Sequence, residues 1–159
     1  MVAFDEVLNR VQGATVQKRA IHAPEVLNEA TSYGSAFSRG MRVDLNGLVI
    51  LFISGTASVD EHGRTAHVGD IRAQCRRTFL NITKLLEAEG ATWKDVVRTT
   101  CYLRDIDQDY KEFNEERTRF YRDQGLNPLP ASTGIQAKLC RPELLVEIEA
   151  IAMFNRPAE

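Results

Sequence analysis

The stretch Leu144-Leu145-Val146-Glu147-Ile148-Glu149-Ala150-Ile151-Ala152-Met153-Phe154 decides the fold. Side chains alternate along a strand. Val146, Ile148, Ala150, Ala152 and Phe154 therefore share one face, and Leu145, Glu147, Glu149, Ile151 and Met153 the other. The first face is wholly apolar and calls for a covering layer of helices. The second sets two carboxylates among large apolar residues. An unpaired buried carboxylate is costly, so this face is no ordinary core. It meets solvent, a basic partner across an interface, or a small-molecule site.

Working outward, the rest of the chain supplies the partners of this strand. Phe4 to Val11 has helical spacing and reads as a short helix ending at Gly13. Thr15 to Ile21 reads as a strand, His22 to Ser32 as a loop, and Ser35 to Leu45 as an alternating strand with Phe37, Arg39, Met41, Val43 and Leu45 on one face. Asn46-Gly47 is a hairpin signal. Leu48 to Ile53 is a buried strand, followed by a small-residue turn over Ser54–Ser58. Asp70 caps a helix that runs to about Glu89 and stops at Gly90. Its inner stripe is Ile71, Cys75, Phe79, Ile82, Leu85 and Leu86. Val96 to Leu103 is a strand. A second helix spans about Asp107 to Gln124, with Tyr110, Phe113, Phe120 and Tyr121 inward and a Glu115/Arg119 pair outside. Ala131 to Leu139 is a strand and Cys140-Arg141-Pro142 a turn. The order strand, strand, strand, helix, strand, helix, strand, strand predicts an α+β domain, a mixed β-sheet with two helices packed on one face. The face bearing Glu147 and Glu149 is then left open, which predicts a homo-oligomer.

Length and composition bound the function. The 159 residues make one domain, 1–159. Apolar residues are 43% of the chain and charged residues 26%, as in soluble globular proteins, and the net charge of -2 recruits neither nucleic acid nor an anionic membrane. No run spans a bilayer and Met1 to Arg10 does not read as a signal peptide, so no membrane partner is expected and the cytoplasm is the expected compartment. Three scattered cysteines, Cys75, Cys101 and Cys140, agree with a reducing environment. His22, His62 and His67 lack ligand spacing, so no metal site is expected. Arg72, Arg76 and Arg77, and Arg117, Arg119 and Arg122, alternate with acids on helices and read as solvated faces rather than RNA contacts.

Several segments together are similar to a known superfamily. They are Ile53-Ser54-Gly55-Thr56, Gly69-Asp70-Ile71-Arg72-Ala73-Gln74, Asp95 to Leu103, Phe113-Asn114 and Val146 to Ala152. In order and spacing they resemble the RidA (YjgF) superfamily over 33–154, with 1–32 as an N-terminal extension. The resemblance implies a chorismate-mutase-like homotrimer with clefts between subunits that bind small carboxylated metabolites. It also implies hydrolysis of enamines and imines without cofactor. By the same resemblance Tyr33 and Asn114 line the cleft and Glu147 positions or activates water. The superfamily's deaminases clamp the substrate carboxylate with an arginine at the strand after Pro130. Here that position is Ala131, or Ser132 with a one-residue shift. Arg39, Lys138 and Arg141 are the candidate replacements, and Ser54 and Thr56 the candidate hydroxyl or backbone donors.

A second likeness lies in Tyr33 to Ser38, Phe52 to Ser58, His67 to Asp70 and Cys140 to Ile148. These are similar to the catalytic domain of chorismatases, which release pyruvate from chorismate. That likeness implies Glu147 as the acid and Cys140 as a second catalytic residue. Known chorismatases carry a further related N-terminal domain, so a relative is expected rather than a true member. Three functions stay open: a chorismatase-like hydrolase or lyase, an enamine or imine deaminase with a substituted clamp, and a non-catalytic metabolite-binding or RNA-directed role.

Overall fold

The computed structural model describes residues 16–155. Six strands among them form one mixed sheet. They are β1 (Val16–Ala20), β2 (Gly40–Leu45), β3 (Leu48–Ala57), β4 (Val96–Leu103), β5 (Ala131–Gln136) and β6 (Val146–Asn155), in the order β1-β2-β3-β6-β4-β5. Only the β4–β5 pair is parallel. Helices α1 (Ile71–Glu87) and α2 (Ile106–Asp123) pack on one face. The α+β architecture with two helices on one side of a mixed sheet is therefore as the alternation predicts.

The core forms where the patterns say it should. Val146, Ile148, Ala150 and Ala152 are buried with Val49, Leu51 and Ile53 of β3 and with the α1 stripe. Asp70 caps α1 by accepting from the Ala73 amide, and Asp105 caps α2 through Gln108. Phe79 joins the helices to the sheet end. Its ring stacks on Phe120 at 4.5 Å and meets Trp93 edge-on at 5.7 Å, while the Trp93 indole donates to Thr83 Oγ1. Asn46 and Gly47 both take positive φ, 47° and 87°, so the predicted hairpin turn joins β2 to β3.

Several expectations are corrected. The first strand is present from Val16, and the predicted helix over Phe4–Val11 lies outside the described residues. The second strand starts at Gly40, not Ser35. The preceding loop holds a 3-10 turn at Ala30–Tyr33 closed by Gly34 at φ 82°. The expected turn over Ser54–Ser58 is a continuation of β3, with a register shift between Ile53 and Thr56 that marks a bulge. One extra residue on β3, three positions from Ile53 to Thr56 against two from Ala150 to Ile148, lets the strand keep pairing with β6 while changing which side chains face out. β5 ends at Gln136. Tyr110 is 43% exposed because it sits where α2 overhangs β5. Glu115 pairs with Arg72 of α1, not with Arg119. Arg119 turns to Glu116, a buried carboxylate also approached by Arg72 and Arg76.

Candidate functional site

The open face of the sheet carries Glu147 of β6, opposite Ala57 of β3 and Tyr102 of β4. The β3 bulge places Gly55 directly beneath the carboxylate. A Cβ on Gly55 would lie within van der Waals overlap of Glu147 Oε1. Glu147 is half-buried, and burial first, then the neighbouring Glu149 carboxylate, pushes its pKa up from the ordinary carboxylate value. The Tyr102 phenol is also pushed up, by burial first and then by Glu149 and Glu147. Negative charge is thus disfavoured on this patch, and Glu147 holds its proton longer than a free carboxylic acid would.

A cavity of about 640 Å³ opens over Glu147. Its wall includes Tyr33, Arg39, Ser54, Cys140, Arg141 and Glu149. Arg39 and Arg141 both lie over the Tyr33 ring, each 5.5 Å from its centroid. Arg39 is held by the Asn28 carbonyl and Asn28 Oδ1, and Arg141 by the Gly63 carbonyl. Neither guanidinium meets a carboxylate within 4 Å among the described residues. The cavity therefore sets an acid of raised pKa among two cations that no carboxylate of the described residues pairs, Arg39 buried and Arg141 bonded to a backbone carbonyl. Ser54 Oγ donates to the Ser38 carbonyl, which leaves its lone pairs as acceptors at the rim.

The turn that carries Cys140 and Arg141 is held from behind. Arg104, the residue after β4, donates to the carbonyls of Leu139, Arg141 and Leu144. Gln74 of α1, fully buried, donates to the Glu143 carbonyl and accepts from the Leu145 amide. Cys140 is exposed, whereas Cys75 and Cys101 are buried. Burial pushes the Cys75 thiol up to about 12, which leaves it inert.

Five sequence-predicted residues fall outside this cavity. Thr56 is buried and donates to the Ser54 carbonyl, on the far side of the bulge. Lys138 is exposed beyond β5. Ala131 pairs with Arg98 at the outer edge of the sheet. Asn114 and Ser132 line a second cavity, between α2 and β5 on the helix side of the sheet. A residue assigned from sequence to a solvated face, Arg117, stands between them and bonds to both. Its spacing of three from Asn114 on one helix was the available signal. Its contact with Ser132 depends on the β4–β5 register.

Residues 28–154 match the family described as endoribonuclease L-PSP. The chain is 32% identical over 103 residues to the 3-aminoacrylate deaminase RutC of Acinetobacter baylyi, covering 65% of this chain and 78% of that protein. It is 33% identical over 102 residues to a RutC family protein of Pyrococcus horikoshii, covering 64% and 77%. Among solved structures, the YjgF gene product of E. coli superposes with a TM-score of 0.69 at 25% identity, covering 84% of this chain and 97% of that one. E. coli TdcF with bound serine gives 0.71 at 22% identity, covering 86% and 99%.

Proposed function

The chain belongs to the endoribonuclease L-PSP, or RidA/YjgF, family, and from that premise we propose that it deaminates a small carboxylated enamine or imine in the Glu147 cavity. The observation that carries the reading is Glu147 itself, a carboxyl whose pKa is raised by burial and then by Glu149, in one cavity with two arginines that have no carboxylate partner among the described residues. In the proposed reaction Glu147 protonates the enamine carbon, which leaves an iminium. The resulting carboxylate then takes a proton from water as its oxygen bonds to the iminium carbon. Collapse of the carbinolamine expels ammonia and leaves a carbonyl. Arg39 and Arg141 hold the substrate carboxylate, and no cofactor is required. The RutC likeness supports this chemistry over other hydrolyses.

A second reading, release of pyruvate from a chorismate-like enol ether, is favoured by one observation. Cys140 lines the same cavity as Glu147, as the chorismatase resemblance implies. Protonation of an enol ether carbon asks the same of Glu147. One experiment separates the two. Purified protein is given 3-aminoacrylate generated in place, and separately chorismate, with ammonia and pyruvate followed by coupled dehydrogenases. Ammonia released faster than in buffer supports the deaminase. Pyruvate alone transfers the site to the second reading. Neither product sinks both.

The geometry also makes Gly55→Ala a sharp test. The new methyl displaces only the flexible end of Glu147, so circular dichroism is expected to be unchanged. The carboxyl moves by about an ångström or more, and turnover is expected to fall roughly 10²-fold.

The open face bears on assembly. Phe52 and Met153 are 45% and 41% exposed on it, beside Ile50 and Ile151. We propose that this face is covered in a homotrimer. Light scattering is expected to give about three times the 17.9 kDa chain mass, and a monomer mass would remove the proposal. Among the described residues no helix is long and apolar enough to cross a membrane. A soluble, cytoplasmic protein is our proposal.

A further inference from the structure

Two loops hold the two cations of the Glu147 cavity. The loop before β2 gives the Asn28 carbonyl to Arg39 Nε at 2.8 Å, and the loop after β3 gives the Gly63 carbonyl to Arg141 Nη1 at 2.7 Å. Asn28 and Gly63 touch. A Cβ on Gly63 would lie 2.5 Å from Asn28 Nδ2 and 3.1 Å from its Cγ and Oδ1, so only a residue without a side chain packs this closely against the amide. Arg77 of α1 clips the loops together, donating to the Val26 carbonyl of the first and the Val59 carbonyl of the second. Asp60 fixes the second loop by accepting from the His62 and Arg64 amides. The backbone points that hold Arg39 and Arg141 are thus neighbours across one contact.

The Asn28 side chain has a second tie to Arg39. Its Oδ1 accepts from Arg39 Nη2 at 3.1 Å. Its Nδ2 donates at 2.8 Å to Ser32 Oγ, whose own hydrogen goes to the Glu29 carbonyl. A guanidinium only donates, so the amide oxygen must face Arg39, and Ser32 holds it there. Arg39 is 6% exposed, with the Tyr33 and Phe37 ring centroids each 5.5 Å from its guanidinium. Its Nη1 has no hydrogen bond among the described residues. Everything that orients this cation is neutral. An aspartate of the same shape would set a carboxylate at hydrogen-bond distance and pair the charge. Asparagine orients the guanidinium and leaves its charge to act on the cavity.

We propose that Asn28 is a positioning residue for substrate binding: its amide aims Arg39 without neutralising it and supports the Gly63 carbonyl that holds Arg141. Asn28 acts through the two arginines, and the inference rests on the reading that they hold the substrate carboxylate.

Cys140 lines the same cavity and is exposed, whereas Cys75 and Cys101 are buried, so alkylation by iodoacetamide reports on the cavity without any turnover. Propanoate is the probe and propanamide its uncharged counterpart. Propanoate is expected to slow alkylation of the unmutated chain saturably, and propanamide not. Asn28→Asp should raise the propanoate concentration for half protection roughly tenfold or more, and Asn28→Ala several-fold. With 3-aminoacrylate generated in place, KM should rise in Asn28→Asp by a similar factor while kcat stays nearly constant. A lower melting temperature with unchanged protection and KM would make Asn28 merely structural and overturn the proposal. So would propanoate giving the unmutated chain no protection at tens of millimolar. Protection that depends on Asn28 without any ammonia release leaves this inference standing and removes the deaminase reading. Ammonia release with an unchanged KM in Asn28→Asp does the reverse. If Asn28→Asp does not fold, Asn28→Ala decides: unchanged protection in that variant overturns the proposal.

Discussion

Replacing Glu147 by glutamine is expected to lower turnover of a carboxylated enamine by about 10²–10⁴-fold with little change in KM, because it removes proton transfer and keeps the shape of the side chain. The same substitution has a second signature in stability. The folded protein binds the Glu147 proton more tightly than the unfolded chain does, since burial and Glu149 both raise its pKa. The contribution of the protonated form is fully present below the ordinary value and is lost as pH rises through the raised folded value. Glutamine imitates the protonated acid and loses nothing over that range. The melting temperatures of the two proteins should therefore coincide at acid pH. They should separate in favour of Glu147→Gln as pH rises above 4.5, the ordinary value for the group. In the unmutated protein, kcat/KM should fall across the same range, because the free enzyme must carry the proton to deliver it. Glu149→Gln should move that fall toward lower pH. A melting difference that is flat with pH would mean that Glu147 is not perturbed, and unchanged turnover would take it out of the reaction.

The largest loss of stability is expected from Phe79→Ala. Phe79 is 1% exposed and touches three other rings, of which Phe120 and Tyr121 belong to the second helix and Trp93 to the approach to β4. Its removal leaves a cavity where α1, α2 and the sheet meet. The expected cost is about 3–5 kcal/mol, a large part of the roughly 5–15 kcal/mol that holds a domain folded. Urea unfolding at fixed chain concentration should show a lower midpoint with an unchanged slope. Phe79→Leu fills most of the space and should cost far less. A cost below about 1 kcal/mol for the alanine variant would show that the helices can collapse into the gap.

The elements that organise the fold were legible because each obeys one period. The alternation of Val146–Phe154, the run Val96–Leu103 and the α1 stripe each give a strand or helix at once, and Asn46-Gly47 fixes a turn by its backbone preference alone. Glu147 was legible for a different reason, as a carboxylate that breaks an otherwise apolar face. What stayed hidden depends on register. The β3 bulge adds one residue without any change of composition, so Ser54–Ser58 reads as a turn. Arg117 looks like any charge on an amphipathic helix until the parallel pairing of Thr99 with Ser132 brings β5 beneath it. Asn114 and Ser132 look like partners of Glu147 in sequence, yet one sheet separates them from it within the chain.

The hold that Arg104 and Gln74 exert on the Cys140–Leu145 turn has an evolutionary consequence. The path of that turn is written by two side chains that lie outside it and bond to its backbone, while the chemistry it shows to a ligand is written by Cys140 and Arg141. Exchanging those two residues changes what the wall recognises without redrawing where the wall runs. A lineage can therefore explore new substrates at this turn by point substitution, provided that the two anchors beneath it stay in place.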